Sequence, residues 1–511
     1  MKTSIAILGA VAAAASASVI VPRQHGYGYG NPHGGSCSHK PLVDSKKLQD
    51  SIKEKALLKG SQTLQDIAYS YPERNRVMGS NGHNDTVKFL VKELEALGGY
   101  YTVEKQKFTN LIQTNGTATL TIGGAETEWG MMEYSPSGNV TSSLVVVNNL
   151  GCSPSDYPAA LPGKIALISR GSCEFGLKSA LAGAAGAVGA LIYNNIPGGL
   201  AGTLGTPPRP EGDYIPTLGI SQEKGRELVA TLGNGTTVTA SLNVRTVIEL
   251  QTTENVIATS NCGAHNTTLM LGAHTDSVAA GPGINDDGSG TIGILEVAKQ
   301  LAKYKANNAV RFGFWSGEES GLLGSTYYVE HLSAAERGNI RAYLNFDMIA
   351  SPNYVHAIYD GDGSAFNLTG PAGSAEIEKF FQDFFTSHGQ NFTATEFDGR
   401  SDYLGFIDAG IPAGGTFTGA EKLKTTEEAE MFGGHANVAL DANYHSAGDT
   451  VDNLNATAFV LHTKAIAAAV AEYATSFASL PPRSVERRSV AATVGISRHR
   501  RGGRWGRPLR Q

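Results

Sequence analysis

Residues 268–290 concentrate side chains able to hold a metal ion. Leu269 to Ala273 is a short apolar run of the kind that forms a buried strand. It delivers His274 and, two residues on, Asp276. A turn of Gly281, Pro282 and Gly283 comes next, then Asn285, Asp286 and Asp287. Gly288-Ser289-Gly290 opens a run with Leu295, Ala298, Leu301 and Ala302 at helical spacing. Open α/β sheets build their sites outside the carboxyl ends of strands, and strand, ligand-rich loop, helix matches that arrangement. A neutral imidazole with carboxylates suits zinc. Taken alone, the His-x-Asp and Asp-Asp pairs read as readily as turn and cap residues.

The order of the downstream segments favours the metal. Val310, Phe312 and Phe314 alternate with Arg311 and Gly313, a strand leading to Trp315-Ser316-Gly317-Glu318-Glu319. Tyr343, Leu344 and Phe346 lead to Asp347, and Tyr444-His445 comes near the end. His274, Asp286, Glu319, Asp347 and His445 make five candidate ligands. Two metal ions fit them: one carboxylate bridges both, and one His with one further carboxylate completes each. Glu318 is left free beside Glu319, since successive side chains diverge. A solvated turn is the plain alternative for the Glu-Glu pair, but this pair comes after an aromatic strand end.

These stretches closely resemble the two-zinc aminopeptidases, a family that includes bacterial leucyl aminopeptidases and fungal aminopeptidase Y. The likeness covers residues 45–130 and 250–478, and extends to Gly399-Arg400-Ser401-Asp402 and Ile411-Pro412-Ala413-Gly414-Gly415. Arg74 to Ser80 resembles the family's loop before the first strand; on its residues alone it is a polar loop. The resemblance implies a zinc exopeptidase fold and two Zn2+ per chain. One ion would take His274 and Asp347, the other Glu319 and His445, with Asp286 bridging. The preference for Asp286 over Asp287 comes from the resemblance, as does an expected cis peptide after Asp286.

Glu318 is then the general base that moves a proton from water to the leaving amine. Asp276 is expected to accept the other ring N–H of His274 and fix its tautomer, with a turn cap as the alternative. Tyr444 would donate to the developing oxyanion. Arg400 would assist the substrate, or serve as a structural loop arginine. Met348, Ile349 and Phe417 are candidates for an apolar pocket, or ordinary core. Asn443 and Gly448 stand where some bacterial relatives have cysteines, so a local disulfide there is out of reach.

The elements that must position these residues read as α/β. Helical spacing runs over 42–67, 84–97, 375–387 and 459–477, and strands over 256–258 and 411–417. Strands alternating with helices imply a mostly parallel sheet with helices on both faces. Residues 41–127 and 246–478 are expected to form the catalytic domain, and 128–245 an insert. Within it, 150–221 resembles the small α+β protease-associated domain, in which a pair matching Cys152 and Cys173 bridges. Cys37 and Cys262 would then be left to pair with each other. The insert reads as a lid or spacer, with substrate gating or partner contact as the sharper alternative.

Residues 1–17 read as a secretory signal: Lys2, an apolar core from Ile5 to Ala14, and Ala15-Ser16-Ala17 at the cleavage site. Residues 18–40 are rich in Gly, His and Tyr and read as a flexible pro-segment or linker, with a metal-binding tract as the alternative. Eight Asn-X-Ser/Thr sequons (Asn84, Asn115, Asn139, Asn234, Asn266, Asn367, Asn391 and Asn455) are candidate glycosylation sites. Secretion is expected, with a vacuolar lumen as the alternative destination.

Net charge is −6 over 511 residues, and residues 479–511 hold nine Arg against one Glu. That tail is expected to be disordered. The rest is acidic, which argues against nucleic acid as a partner. No apolar run beyond the leader is long enough to span a membrane. A monomer acting on peptides with a free N-terminus is the expected form. A carboxypeptidase or glutaminyl cyclase on the same fold is the runner-up, and a binding ectodomain that kept the fold is the remaining reading.

Overall fold

In the computed structural model of the chain, which describes residues 37–482, two long antiparallel strands carry the architecture. Tyr101–Ile122 and Thr239–Ser260, 22 residues each, pair from Tyr101 opposite Ser260 to Ile122 opposite Ala240. At about 3.4 Å per residue the ribbon is some 70 Å long. Its first end joins one sheet, where Val256 lies opposite Phe314. Its far end joins a second group of strands, where Val244 lies opposite Gly138. Residue 245, the expected end of the insert, falls inside the strand Thr239–Ser260. The expected leader, nearly all of the Gly/His-rich segment and the basic tail beyond 482 lie outside the described residues.

The sheet at the first end runs Thr393–Thr395, Ala357–Tyr359, Ala413–Phe417, Ile340–Phe346, Ala264–His274, Asn308–Trp315, then the ribbon. Its central strands are parallel: Ala264–His274 pairs in parallel with both Asn308–Trp315 and Ile340–Phe346, and the latter with Ala413–Phe417. Parallel strands need cover on both faces, and their side chains are divided accordingly. Leu269, Leu271 and Ala273 point into a core shared with the helices Gly288–Leu301 and Ala456–Thr475. Met270 points the other way, into a cluster with Trp315, Tyr328, Tyr343 and Phe406. The mostly parallel α/β sheet expected from the sequence is present.

The helical pattern over 42–67 resolves into two helices, Ser45–Ser51 and Glu54–Tyr69. The closing helix, Ala456–Thr475, is rich in alanine because its second half, from Ala465 to Ala474, packs closely on the core. Cys37 is bonded to Cys262, which ties the start of the described chain to the turn after the ribbon.

The insert repeats the same logic on a smaller scale. Gly138–Val146, Ile165–Ser169, Gly189–Tyr193 and Thr217–Ile220 pair in parallel in that order. Leu181 of the helix Phe175–Ala184 packs with Ala166, Ile168 and Ile192. Leu228 of the helix Gln222–Gly233 packs with Ile165, Leu167 and Leu191. The two helices therefore cover opposite faces. Cys152 and Cys173 are disulfide-bonded at the edge of this unit.

Three buried imidazoles make stability sensitive to acid. Burial pushes His83 and His356 down to about 4 and His462 down as well. His356 Nδ1 lies 2.9 Å from His462 Nε2, so the two rings cannot both carry charge. The unfolded chain takes protons on these groups near 6.5, and the fold resists doing so until about 4. Their stabilising effect is complete above about 6.5 and is lost as pH falls, by up to roughly 3 kcal/mol each for His83 and His356 by pH 4. The urea midpoint is expected to drop steeply between pH 7 and pH 4.5, and to move less in a His462→Gln variant.

Candidate active site

Because the central strands are parallel, their carboxyl ends share one edge. His274 is the last residue of its strand and lies opposite Trp315. Glu318 and Glu319 come within a few residues of Trp315, and Asp347 comes directly after Phe346. His445 comes from a distant loop and meets them from above. These residues form one cluster. His274 Nε2 lies 3.2 Å from Asp286 Oδ1 and 3.6 Å from Asp347 Oδ1. His445 Nε2 lies 3.1 Å from Asp286 Oδ2 and 3.0 Å from Glu319 Oε2. Each oxygen of Asp286 thus faces a different imidazole. Glu318 Oε2 stands 3.9 Å from His274 Nε2.

Asp286 and Asp287, which local sequence physics does not separate, have different partners. Asp287 accepts the N–H of Gly290 (2.8 Å), Met348 (3.1 Å) and His274 (3.1 Å). It caps the helix Gly288–Leu301 and ties the ends of two strands to it. A Cβ at Gly290 would strike the Phe346 carbonyl at 2.0 Å and the Asp287 carboxylate, so only glycine allows that cap. Asp286 makes no such bonds with its side chain. Its own N–H goes to Asp449 Oδ2 (3.0 Å), while Asn285 N–H goes to Asp449 Oδ1 (2.8 Å). The peptide between Asp286 and Asp287 is cis.

The cluster carries an excess of acidic side chains. Asp286, Glu318, Glu319 and Asp347 crowd two imidazoles, and His274 Nδ1, Glu319 Oε1 and Asp347 Oδ1 are buried without a hydrogen-bond partner. Burial works to lower His445, yet Glu319 and Asp286 push it up to about 11. His274 is likewise driven well above its usual range, against burial, by Glu318 and Asp347. Burial, with Asp347, Glu319 and Asp402 adding to it against His274, holds the Glu318 carboxyl well above the usual carboxylate range. Imidazole nitrogens and carboxylate oxygens turned inward at these distances are a donor set of the zinc type.

Other residues aim the cluster. Ser401 Oγ donates to Asp347 Oδ2 at 2.6 Å and receives Asn345 Nδ2 at 2.8 Å, leaving Asp347 Oδ1 directed at His274. Arg76, fully buried, donates through Nε to the Pro282 carbonyl (2.8 Å) and through its two terminal nitrogens to Thr275 and Gly283. It clamps the loop between His274 and Asp286 from below. Asp276 lies 3.6 Å from His274 Nδ1, too long for the hydrogen bond expected of it; the bond it makes is from the Glu318 N–H, at 3.2 Å. Arg76, Ser401 and Asp449 do not stand out in the sequence. A buried arginine in a polar loop carries no periodic signal, and the acceptor role of Asp449 depends on a contact 163 residues away.

A cavity opens beside the cluster. Met348, Val355, Ala357, Tyr359, Phe417 and Leu440 give it an apolar wall. Met348 and Phe417 are where the sequence reading expects them. Ile349, expected with them, is instead fully buried in the main core, its N–H bound to Ser289. Tyr444 stacks on His445 with ring centres 3.8 Å apart, and its hydroxyl lies 3.3 Å from Arg400. Arg400 also pairs with Glu421 at 3.0 Å. From the insert, Tyr134 Oη donates to the carbonyl of Ser320, next to Glu319, at 3.1 Å.

Residues 255–470 match the model of peptidase family M28, and residues 140–228 that of the PA domain. A probable leucine aminopeptidase 2 of Aspergillus fumigatus is 56% identical over 446 residues, 87% of this chain and 88% of that protein. The chain belongs to peptidase family M28. It is therefore a peptidase, as its clustered donors suggested. Leucine aminopeptidase 2 of Arthroderma otae is 50% identical over 94% of each chain. Among solved structures, an aminopeptidase from Aneurinibacillus sp. strain AM-1 superposes with a TM-score of 0.70 at 29% identity, covering 84% of this chain and 95% of that one. A zinc aminopeptidase from Bacillus subtilis gives 0.59 at 25% identity, covering 82% and 95%.

The clamp on the Asp286 backbone makes a prediction. Asp449→Asn removes one of the two acceptors that hold residues 285 and 286. Zinc affinity, read by competition with a chromophoric chelator, is expected to fall about 10- to 100-fold with circular dichroism unchanged. An unaltered affinity would mean that the loop holds its shape without Asp449.

Proposed function

We propose that this M28 peptidase is a secreted aminopeptidase that removes apolar, Leu-type residues from the free N-terminus of peptides, with two zinc ions per chain. The observation that carries the reading is Asp286, whose two oxygens face His274 and His445 separately. His274 and Asp347 would hold one zinc and Glu319 and His445 the other, with Asp286 shared. Zinc bound there lowers the pKa of water and polarises a peptide carbonyl. Glu318, 3.9 Å from His274 Nε2 and free of a ligand role, takes the proton from the attacking water and delivers it to the leaving amine. Tyr444 donates its hydroxyl to the carbonyl oxygen as charge develops, and Arg400 keeps Tyr444 oriented through their contact at 3.3 Å.

Charge favours an amine over a carboxylate as the substrate terminus. Eight carboxylates line the cavity against Arg400 and Lys422, and two zinc ions would still leave it negative. Both cations are already paired, Arg400 with Glu421 and Lys422 with Glu428 at 3.3 Å. A carboxypeptidase needs a free cation at this place. The apolar wall from Met348 to Leu440 suits a branched aliphatic side chain.

Secretion is supported by the leader, by two disulfides and by the sequons. The Asn side chains at 84, 115, 139, 234, 266, 367 and 391 are exposed, while Asn455 is half-buried and caps the last helix through Ala458 N–H. We take the first seven as glycan acceptors. The PA-domain insert acts as a lid or spacer beside the ligand loop.

Leucyl-p-nitroanilide is expected to be cleaved and its N-acetyl form left intact. Glu318→Gln should lower kcat by about 10²- to 10⁴-fold with zinc content unchanged. The same protein from culture medium should lose mass on enzymatic deglycosylation. Cleavage of the acetylated substrate, or full activity in Glu318→Gln, would overturn the reading.

A further inference from the structure

A second group of oxygen donors lies away from the cluster and shares no residue with it. The strand Ala357–Tyr359 runs into Asp360-Gly361-Asp362-Gly363-Ser364, and Glu378 reaches back from the helix Ser374–Ser387. Asp360, Asp362 and Glu378 each offer a carboxylate oxygen, all within 4.8 Å of one another. Asp360 is 0% and Glu378 5% exposed, while Asp362 sits at the surface.

Their hydrogen bonds leave an opening. Asp360 Oδ2 accepts the N–H of Ala365 (3.0 Å) and Phe366 (2.8 Å), whereas its Oδ1 is buried with no partner. Asp362 Oδ1 accepts the N–H of Ser364 at 2.7 Å. Glu378 accepts the Asp362 N–H (3.0 Å) and Gln382 Nε2 (2.8 Å). The charged groups bearing on Glu378 are Asp362 and Asp360, both of its own sign; burial first, then these two, raise its carboxyl. No lysine, arginine or histidine forms an ion pair with the three among the described residues. Like charges held this close in a partly dry site require a proton or a cation between them.

The donors are all hard oxygens, with no nitrogen or sulfur, which selects against zinc and for the alkaline-earth type of ion. Side chains at alternate positions of a glycine-rich loop adapt to the irregular shell of six to eight oxygens that calcium takes, whereas magnesium demands a tight octahedron. We propose that Asp360, Asp362 and Glu378 form a calcium site, with Asp360 Oδ1 as its buried anchor and exposed Asp362 as its point of entry. The ion ties the loop 360–364 to the helix Ser374–Ser387. It thereby steadies Ala357 and Tyr359, which line the cavity of the candidate active site.

The test uses the zinc-loaded full chain stripped of other cations. Calcium chloride titrated by calorimetry is expected to bind at this site, and to raise Tm by about 5 °C at saturation. Asp362→Asn, at an exposed position that should not disturb folding, is expected to abolish the shift and weaken calcium binding at least 10-fold. Magnesium should give less than half the shift. Absence of calcium binding to the wild type would overturn the proposal. So would an equal shift in Asp362→Asn, which would put the ion elsewhere, or an equal response to magnesium, which would remove the calcium assignment.

Discussion

A single carboxylate held between two imidazoles governs how the site is built. Asp286 cannot face both His274 and His445 unless its backbone is fixed, because the two histidines come from segments 171 residues apart in sequence. Asp449 fixes that backbone by taking two successive N–H groups. Asp287 fixes the other side by taking three, including that of His274 itself. Arg76 closes the loop between them. Asp347 shows the pattern: Ser401 holds one of its oxygens, while the other, buried without a hydrogen-bond partner, is turned toward His274 Nε2.

The sheet supplies the common edge. Parallel pairing puts His274, Glu318, Glu319 and Asp347 at adjacent carboxyl ends without further instruction, which is why apolar runs ending in donors are readable from the chain alone. The same holds for the helix after Asp287, where spacing of Leu295, Ala298 and Leu301 gives a buried face. Which of the two aspartates faces both imidazoles is not readable from local physics. Two adjacent aspartates have the same chemistry, and only the cap geometry of Gly290 and Met348 separates them. Ile349 departs from its expected place for a related reason: it and Met348 are neighbours, and the left-handed backbone at Met348 (φ 53°) decides which of them meets the cavity. Contacts such as Arg76 to Pro282 or Tyr134 to Ser320 join segments far apart and leave no periodic trace.

The long ribbon connects the two halves of the molecule in one piece of secondary structure. Because Thr239–Ser260 is hydrogen-bonded to both groups of strands, the insert is an outgrowth of the last two strands of the catalytic sheet rather than a bead on a linker. Tyr134 then brings the insert against the loop that carries Glu318 and Glu319. The acidity of the cavity and the pairing of its two cations give the same selection, for a substrate end that is positive.

The central claim, that Asp286 is shared by two metal ions, is tested most directly by anomalous diffraction from crystals of the zinc-loaded enzyme at the zinc edge. Two peaks flanking the Asp286 carboxylate are predicted, one beside His274 and Asp347 and the other beside Glu319 and His445. A single peak, or two peaks of which neither touches Asp286, would contradict it.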